Sequence, residues 1–169
     1  MQIRDRIKEL RRVAASELRP NPKNWRSHPV EQTEALRGVL AEVGIADAVL
    51  ARECEDGSLM LLDGHLRVET LPEAEIPVLV LDVTEAEGDK ILATLDPLAA
   101  MANADAAKLE DLLREVQTGS EALAGMIAKL AEDEGITPPD FQPGGVEDQG
   151  KLDEKAKIKC PECGHEFAP

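Results

Sequence analysis

The sequence predicts an α+β domain followed by an acidic helical hairpin and a short tail, and three observations carry that reading. Two short apolar runs, residues 48–53 and 58–62, flank Glu55-Asp56-Gly57, the signature of a β-hairpin closed by an Asp-Gly turn. Residues 76–83 (IPVLVLDV) are almost continuously β-branched or leucine, the pattern of a strand buried on both faces. Three stretches repeat apolar residues at the spacing of one helix face: Leu36, Val39, Leu40 and Val43; Leu109, Leu112, Leu113 and Val116; Leu123, Met126, Ile127 and Leu130. Each such stripe needs a partner surface.

Taken in order, residues 3–12 are charged, with Ile3, Ile7 and Leu10 on one helical face, and predict a short amphipathic helix or arm. Residues 13–18 read as a short strand or extended segment. Pro20, Pro22 and Pro29 bracket a loop over 19–28 that cannot be regular helix, because proline has no amide to donate. A helix over 30–43 ends at Gly44, and the hairpin follows. Val68 to Leu71 has room only for a turn or short helix before Pro72. Thr84-x-x-Glu87 forms a capping box, and the helix it opens is expected to stop near Leu95 because Pro97 forbids continuation. Gly119 joins the last two helices into a hairpin docked on the sheet domain. Residues 136–150, rich in proline and glycine, read as a linker. The expected divisions are an arm at 1–12, the α+β domain at 13–96, a helical extension at 97–135, the linker at 136–150 and the tail at 151–169.

Composition narrows the function. The chain of 169 residues carries 34 Asp+Glu against 19 Lys+Arg, a net charge of −15. The charge is uneven: residues 1–40 hold nine Lys+Arg and five Asp+Glu, net +4, whereas residues 41–150 hold six and 25, net −19. The acid belongs to the helical half, which argues against unaided duplex binding and leaves room for a small anion or a basic protein partner. Aromatics at 2% argue against base-stacking platforms for single-stranded nucleic acid. No apolar run reaches the length of a membrane span, and the charged N-terminus does not read as a secretory signal. Three cysteines, two of them in a Cys-x-x-Cys, point to a reducing, cytoplasmic compartment.

Three constellations carry chemistry. In Asp63-Gly64-His65-Leu66-Arg67, glycine lets a backbone amide approach an anion, and Arg67 can return to the same anion one helical turn later. His65 can donate or accept a proton, and Asp63 can take a proton or bind a metal. The alternative is a plain strand-to-helix turn in which Asp63 caps the helix and Arg67 pairs with an acidic neighbour. The loop 18–26 (LRPNPKNWR) presents Asn21, Asn24, Lys23 and Arg26 from a proline-stiffened backbone; its alternative is an ordinary Pro-Asn turn anchored by Trp25. In the tail, Cys160-x-x-Cys163-x-His165 resembles a zinc-ribbon knuckle but offers at most three of four ligands, so two chains would share one zinc in a homodimer, another residue completes the site, or the chain is truncated; the alternative is an unmetallated, disordered tail.

The order of loop, helix, hairpin ending in GHLR, and IPVLVLDV resembles the N-terminal domain of the ParB/sulfiredoxin-like superfamily over residues 12–96. The resemblance implies a small mixed sheet with helices and a Gly-x-x-Arg turn that holds nucleotide phosphates: CTP in partition proteins, ATP or ADP in other members. Carried onto this chain, Gly64, His65 and Arg67 match the phosphate turn. Arg26 and Asn21 match the early loop, and Asp63 matches the aspartate of the kinase form. Sulfiredoxins place their catalytic cysteine where His65 stands, so that chemistry is not expected. The early loop also lacks the acid that the serine kinases use as a base. NPKNWRSHP, LDGHLR, PVLVLDVTEAE and LATLDPLAAMANAD look like ParB-like proteins of phages and mobile elements, often found beside DNA methyltransferases.

The leading expectation is therefore a nucleotide-binding accessory protein of such a system. It would bind CTP or ATP with magnesium and meet DNA weakly or through a partner such as a methyltransferase. The alternatives are a phosphotransferase or nucleotide hydrolase using Asp63 or His65, and a protein adaptor using its acidic helices.

Overall fold

The computed structural model describes residues 3–136, together with the strand residues Ile158–Lys159 and Glu166–Phe167. The zinc-knuckle residues Cys160, Cys163 and His165, and the expected linker from residue 137 onward, lie outside the described residues. The chain divides into two units, Met1–Ile136 and Thr137–Pro169. In the second, β6 (Ile158–Lys159) pairs antiparallel with β7 (Glu166–Phe167).

The first unit is built on a mixed sheet of five strands, β1 (Ile7–Ala14), β2 (Leu18–Arg19), β3 (Val49–Glu53), β4 (Leu59–Asp63) and β5 (Glu75–Leu81), in the order β1-β5-β3-β4-β2. The expected hairpin is β3–β4, antiparallel, with Gly57 at φ +77° in its turn. β5 lies parallel to β3 and antiparallel to β1, and β2 runs parallel to β4. Alternate residues of the sheet (Val49, Ala51, Leu61, Val78, Val80) are at most 1% exposed and meet Val68 of α2 (His65–Thr70), with Val13, Ala15 and Leu18 closing the core. Leu61 fills its site so completely that Leu61→Ala would leave a cavity costing about 2–5 kcal/mol.

Residues 3–12 do not form the expected helix: β1 pairs antiparallel along β5, from Ile7↔Leu81 to Ala14↔Glu75, with a register shift between Ile7 and Glu9. Ile3, Ile7 and Leu10, at helical spacing, are 81%, 51% and 65% exposed, so their stripe covers nothing. The open edge of β5 supplies a full ladder of main-chain partners, and that outweighs a short amphipathic pattern.

β5 is buried more completely on one face than on the other: Ile76, Val78 and Val80 are closed off, while on the second face Leu81 is buried and Pro77 and Leu79 are half-buried. Pro77 is tolerated because the pairing to β3 begins one residue later, at Val78.

α1 (Val30–Glu42) ends at Gly44, at φ +88°, as expected. α3 (Glu85–Ala100) opens with the complete Thr84–Glu87 capping box and packs on β4, where Gly88 lies against Leu62. The expected stop near Leu95 is wrong: α3 continues through Pro97 to Ala100. Pro97 sits in the last turn, so it forfeits one amide bond, and Met101 and Ala102 close the end with bonds to Leu98 and Ala99.

α4 (Ala106–Glu115) and α5 (Glu121–Asp133) form the helical hairpin, capped by Asp105 and Ser120. The hairpin docks through α5 on α1 rather than on the sheet. Gly38 of α1 makes this approach feasible, since a Cβ there would come within 2.4 Å of Ser120 Oγ. Glu42 accepts from the Gly119 and Ser120 amides and from Thr118 Oγ1, which fixes the start of α5 and lowers its own pKa.

Arg6 ties β1 to α3. Its guanidinium donates to Glu87 Oε1 and Oε2 at 2.8 and 3.0 Å and, through Nε, to the Asp82 carbonyl. Glu87 also accepts from the Thr84 amide and hydroxyl. Held first by Arg6, its pKa falls from 4.5 to about 2. A carboxylate depressed in the folded state contributes stability that is complete above its unfolded pKa and is lost as pH falls through the folded value. Glu87→Gln removes that contribution at every pH. The urea midpoints of wild type and E87Q should therefore differ at pH 7 and converge as the pH falls from 4.5 toward 2; a constant gap would show that Glu87 acts only by packing.

Candidate functional site

The motif at the end of β4 folds as a sharp strand-to-helix turn. Gly64 takes φ +89°, ψ 21°, a left-handed conformation that favours glycine, and α2 begins at the next residue. The residue is constrained a second time: a Cβ at Gly64 would stand 2.4 Å from Val49 Cγ1 on β3. The glycine expected to admit an anion is thus already required by packing against the neighbouring strand. Asp63 does not cap α2; its carboxylate accepts from Arg67 NH2 at 3.0 Å, one turn on.

The turn sends His65 inward. The side chain belongs to a residue only 6% exposed, and Nε2 accepts a hydrogen bond from the Asn21 backbone amide at 3.1 Å. An accepting Nε2 leaves the ring proton on Nδ1, and burial, opposed by Glu69 and Asp63, lowers the His65 pKa below 6.5. His65 is therefore a neutral imidazole that joins the early loop to the turn. Asn21, itself buried, folds its Oδ1 back onto the Lys23 amide. It stands behind His65 rather than at the open surface.

Beyond Asn21 the early loop is stapled along α3. Lys23 Nζ donates to Glu85 at 2.9 Å and Asp89 at 2.7 Å, and the Trp25 indole reaches the Leu92 carbonyl at 3.4 Å. Arg26 pairs with Asp96 at 2.9 Å, with its guanidinium 4.4 Å from the centre of the Trp25 ring. Trp25 is 56% exposed, so it is a surface platform for Arg26 rather than a core anchor.

These segments enclose an open cleft of about 760 Å³. Arg26, Asp63, Gly64, His65 and Arg67 all line it, as does Asn24, so residues of both motifs meet in one place; Asn21 supports them through His65, and Lys23 is not in the lining. Apolar residues complete the lining, Leu36, Val39 and Leu40 from α1 and Leu92 and Leu95 from α3. Two charged residues on this surface were not legible in the motifs. Asp47, between α1 and β3, pairs with Arg67 NH1, and Asp96 pairs with Arg26. No local spacing links either aspartate to its arginine; only folding does. Among the described residues no group of three or more His, Cys, Asp or Glu is arranged to hold a metal ion.

No family model matches the sequence, and no curated protein matches it. Solved structures do. The C-terminally truncated chromosome-partitioning protein ParB from Caulobacter crescentus, in complex with CTP-γ-S, superposes with a TM-score of 0.53 at 18% identity, over 63% of this chain and 61% of that one. The same protein complexed to the centromeric parS site gives 0.44 at 19% identity, over 74% and 68% of the two chains. A Pnob8-like ParB-N domain gives 0.40 at 16%, over 95% and 58%. The chain thus spans about three fifths of the length of the first of these neighbours, and that likeness shows a shared fold. The fold expected from the motif order is the one observed.

Gly64→Ala tests how firmly the turn is set. The strained φ and the contact with Val49 should together cost at least about 1–3 kcal/mol, read as a lower thermal midpoint. An unchanged midpoint would mean that the β4–α2 turn relaxes freely.

Proposed function

We propose that this chain is a nucleotide-binding ParB-like accessory protein, serving a phage or mobile-element DNA modification or partition system. Nucleotide phosphates would be held between the Gly64–Arg67 turn and Arg26. The observation that carries the proposal is the shared cleft: two motifs far apart in sequence both open into it, each contributing one arginine, and apolar residues able to receive a base or sugar complete its lining. Support for the ligand class comes from the CTP-γ-S held by the structurally similar ParB protein. Magnesium would arrive with the nucleotide, since among the described residues no group of three or more His, Cys, Asp or Glu is arranged to hold a metal ion.

An enzymatic reading, in which Asp63 or His65 moves a proton, is less well supported. Asp63 is committed to Arg67, and His65 has its Nε2 occupied by the Asn21 amide. DNA would be reached through a partner such as a methyltransferase, since α4 and α5 present mostly carboxylates and α4 buries no residue.

Thermal shifts with CTP, ATP, ADP and GTP, each with magnesium, test the ligand. At about 100 times its Kd a ligand stabilises by about 2.7 kcal/mol, a rise of several degrees in Tm. The rise should vanish in Arg67→Ala while the urea midpoint shows the variant folded. No shift with any nucleotide at millimolar concentration would favour the adaptor reading.

We extend the proposal to the tail, where Cys160, Cys163 and His165 would bind zinc. Support comes from the strands on either side of these residues, since β6 and β7 pair with each other. Purified protein should carry about half an equivalent of zinc if two chains share one ion, or about one if each closes its own site. Cys160→Ser should lose it, and zinc well below half an equivalent in wild type would refute both arrangements.

A further inference from the structure

Both arginines of the cleft already hold carboxylates where a ligand anion would sit. Arg67, with a side chain 20% exposed, lies between Asp63 and Asp47, whose side chains are 34% and 72% exposed. Asp63 is the last residue of β4, one helical turn before Arg67, so its place is set by the backbone. Asp47 reaches in from the segment between α1 and β3 and is the outer, solvent-facing partner. Arg26 is stacked on Trp25 and paired on the open side of the cleft with Asp96, both side chains more than two fifths exposed. Ion pairs this wet are weak, whereas a phosphate chain offers each guanidinium several charge-assisted hydrogen bonds at once.

We propose that Asp47 and Asp96 are resident counter-ions that hold Arg67 and Arg26 in binding position and are displaced by the incoming phosphates, so that they set the affinity of the site from outside it. This rests on the nucleotide reading above. Asp63 stays with Arg67 and aims it; Asp47 and Asp96 swing into water. Displacement has a structural consequence at each place. Asp96 immediately precedes Pro97 in the last stretch of α3, and its bond to Arg26 is one of the links that hold this helix to the early loop. Asp47 likewise ties the segment after α1 to α2. Occupancy of the site therefore releases two contacts around its rim.

The test uses the full chain as wild type, Asp47→Asn, Asp96→Asn and the double variant. Glu110→Gln on α4, which does not line the cleft, controls for the loss of one negative charge. Each is titrated with Mg–CTP, Mg–ATP and inorganic tripolyphosphate, by calorimetry and by the fluorescence of Trp25, the single tryptophan of the chain. Removing a resident carboxylate should tighten binding by about two- to fivefold at each position. The double variant should approach the product of the two, and E110Q should match wild type. Free D96N should also show a Trp25 emission shifted toward that of the saturated wild type, because Arg26 has lost its outer partner. If wild type binds and D47N and D96N bind no tighter, or E110Q tightens as much as they do, the displacement proposal fails and the nucleotide reading survives. If no protein of the series binds any of the three probes, both fail together.

Discussion

Val49 leaves no room for a side chain at residue 64, and most of the site follows from that contact. β3 is buried between β5 and β4, so Val49 cannot retreat, and the chain leaving β4 must pass it as glycine in a left-handed turn. The turn starts α2 at once. His65 is thereby directed into the protein, and Arg67, one turn later, comes beside Asp63 at the rim of the cleft. A different exit from β4 would reverse those directions and separate the two motifs. The glycine does structural service first, and its openness to a ligand is a by-product of the same geometry.

The early loop is positioned by an independent set of contacts. A segment with three prolines has few main-chain bonds to offer, so beyond the Asn24 amide on the Asn21 carbonyl its order comes from side chains, His65 among them through the Asn21 amide it accepts. Lys23, Trp25 and Arg26 follow successive turns of α3, meeting Glu85 and Asp89, then Leu92, then Asp96. Each of these exposed contacts is modest by itself. Together they align the loop along one helix and fix Arg26 relative to Arg67. The neutral His65 joins the two halves, because a buried imidazole with Nε2 accepting can bridge loop and turn without bringing a charge into the core.

Charge then defines what the cleft accepts. In a strongly acidic chain, two arginines facing one cleft are held there by carboxylates, and those carboxylates keep the site near neutrality while it is open. An anion entering it exchanges partners rather than filling an electropositive hole. On the proposed reading such a site would select ligands that offer several oxygens in one short chain, since a single weak acceptor would gain little over the aspartate it displaces.

The sequence by itself determined the parts whose causes are local. The Asp-Gly hairpin, the Thr84–Glu87 capping box and the end of α1 at Gly44 each depend on residues within one turn of each other, and each is found where the residues place it. The two motifs of the site were legible for the same reason, since proline stiffness and glycine freedom are properties of single positions. What failed were inferences that needed knowledge of the neighbour. Residues 7–12 became strand because β5 had an open edge to fill, and α3 ran past Pro97 because one lost amide in a last turn is cheap. The counter-ions Asp47 and Asp96 were invisible in sequence because Coulomb attraction acts through space, and only the folded chain brings them within reach of Arg67 and Arg26.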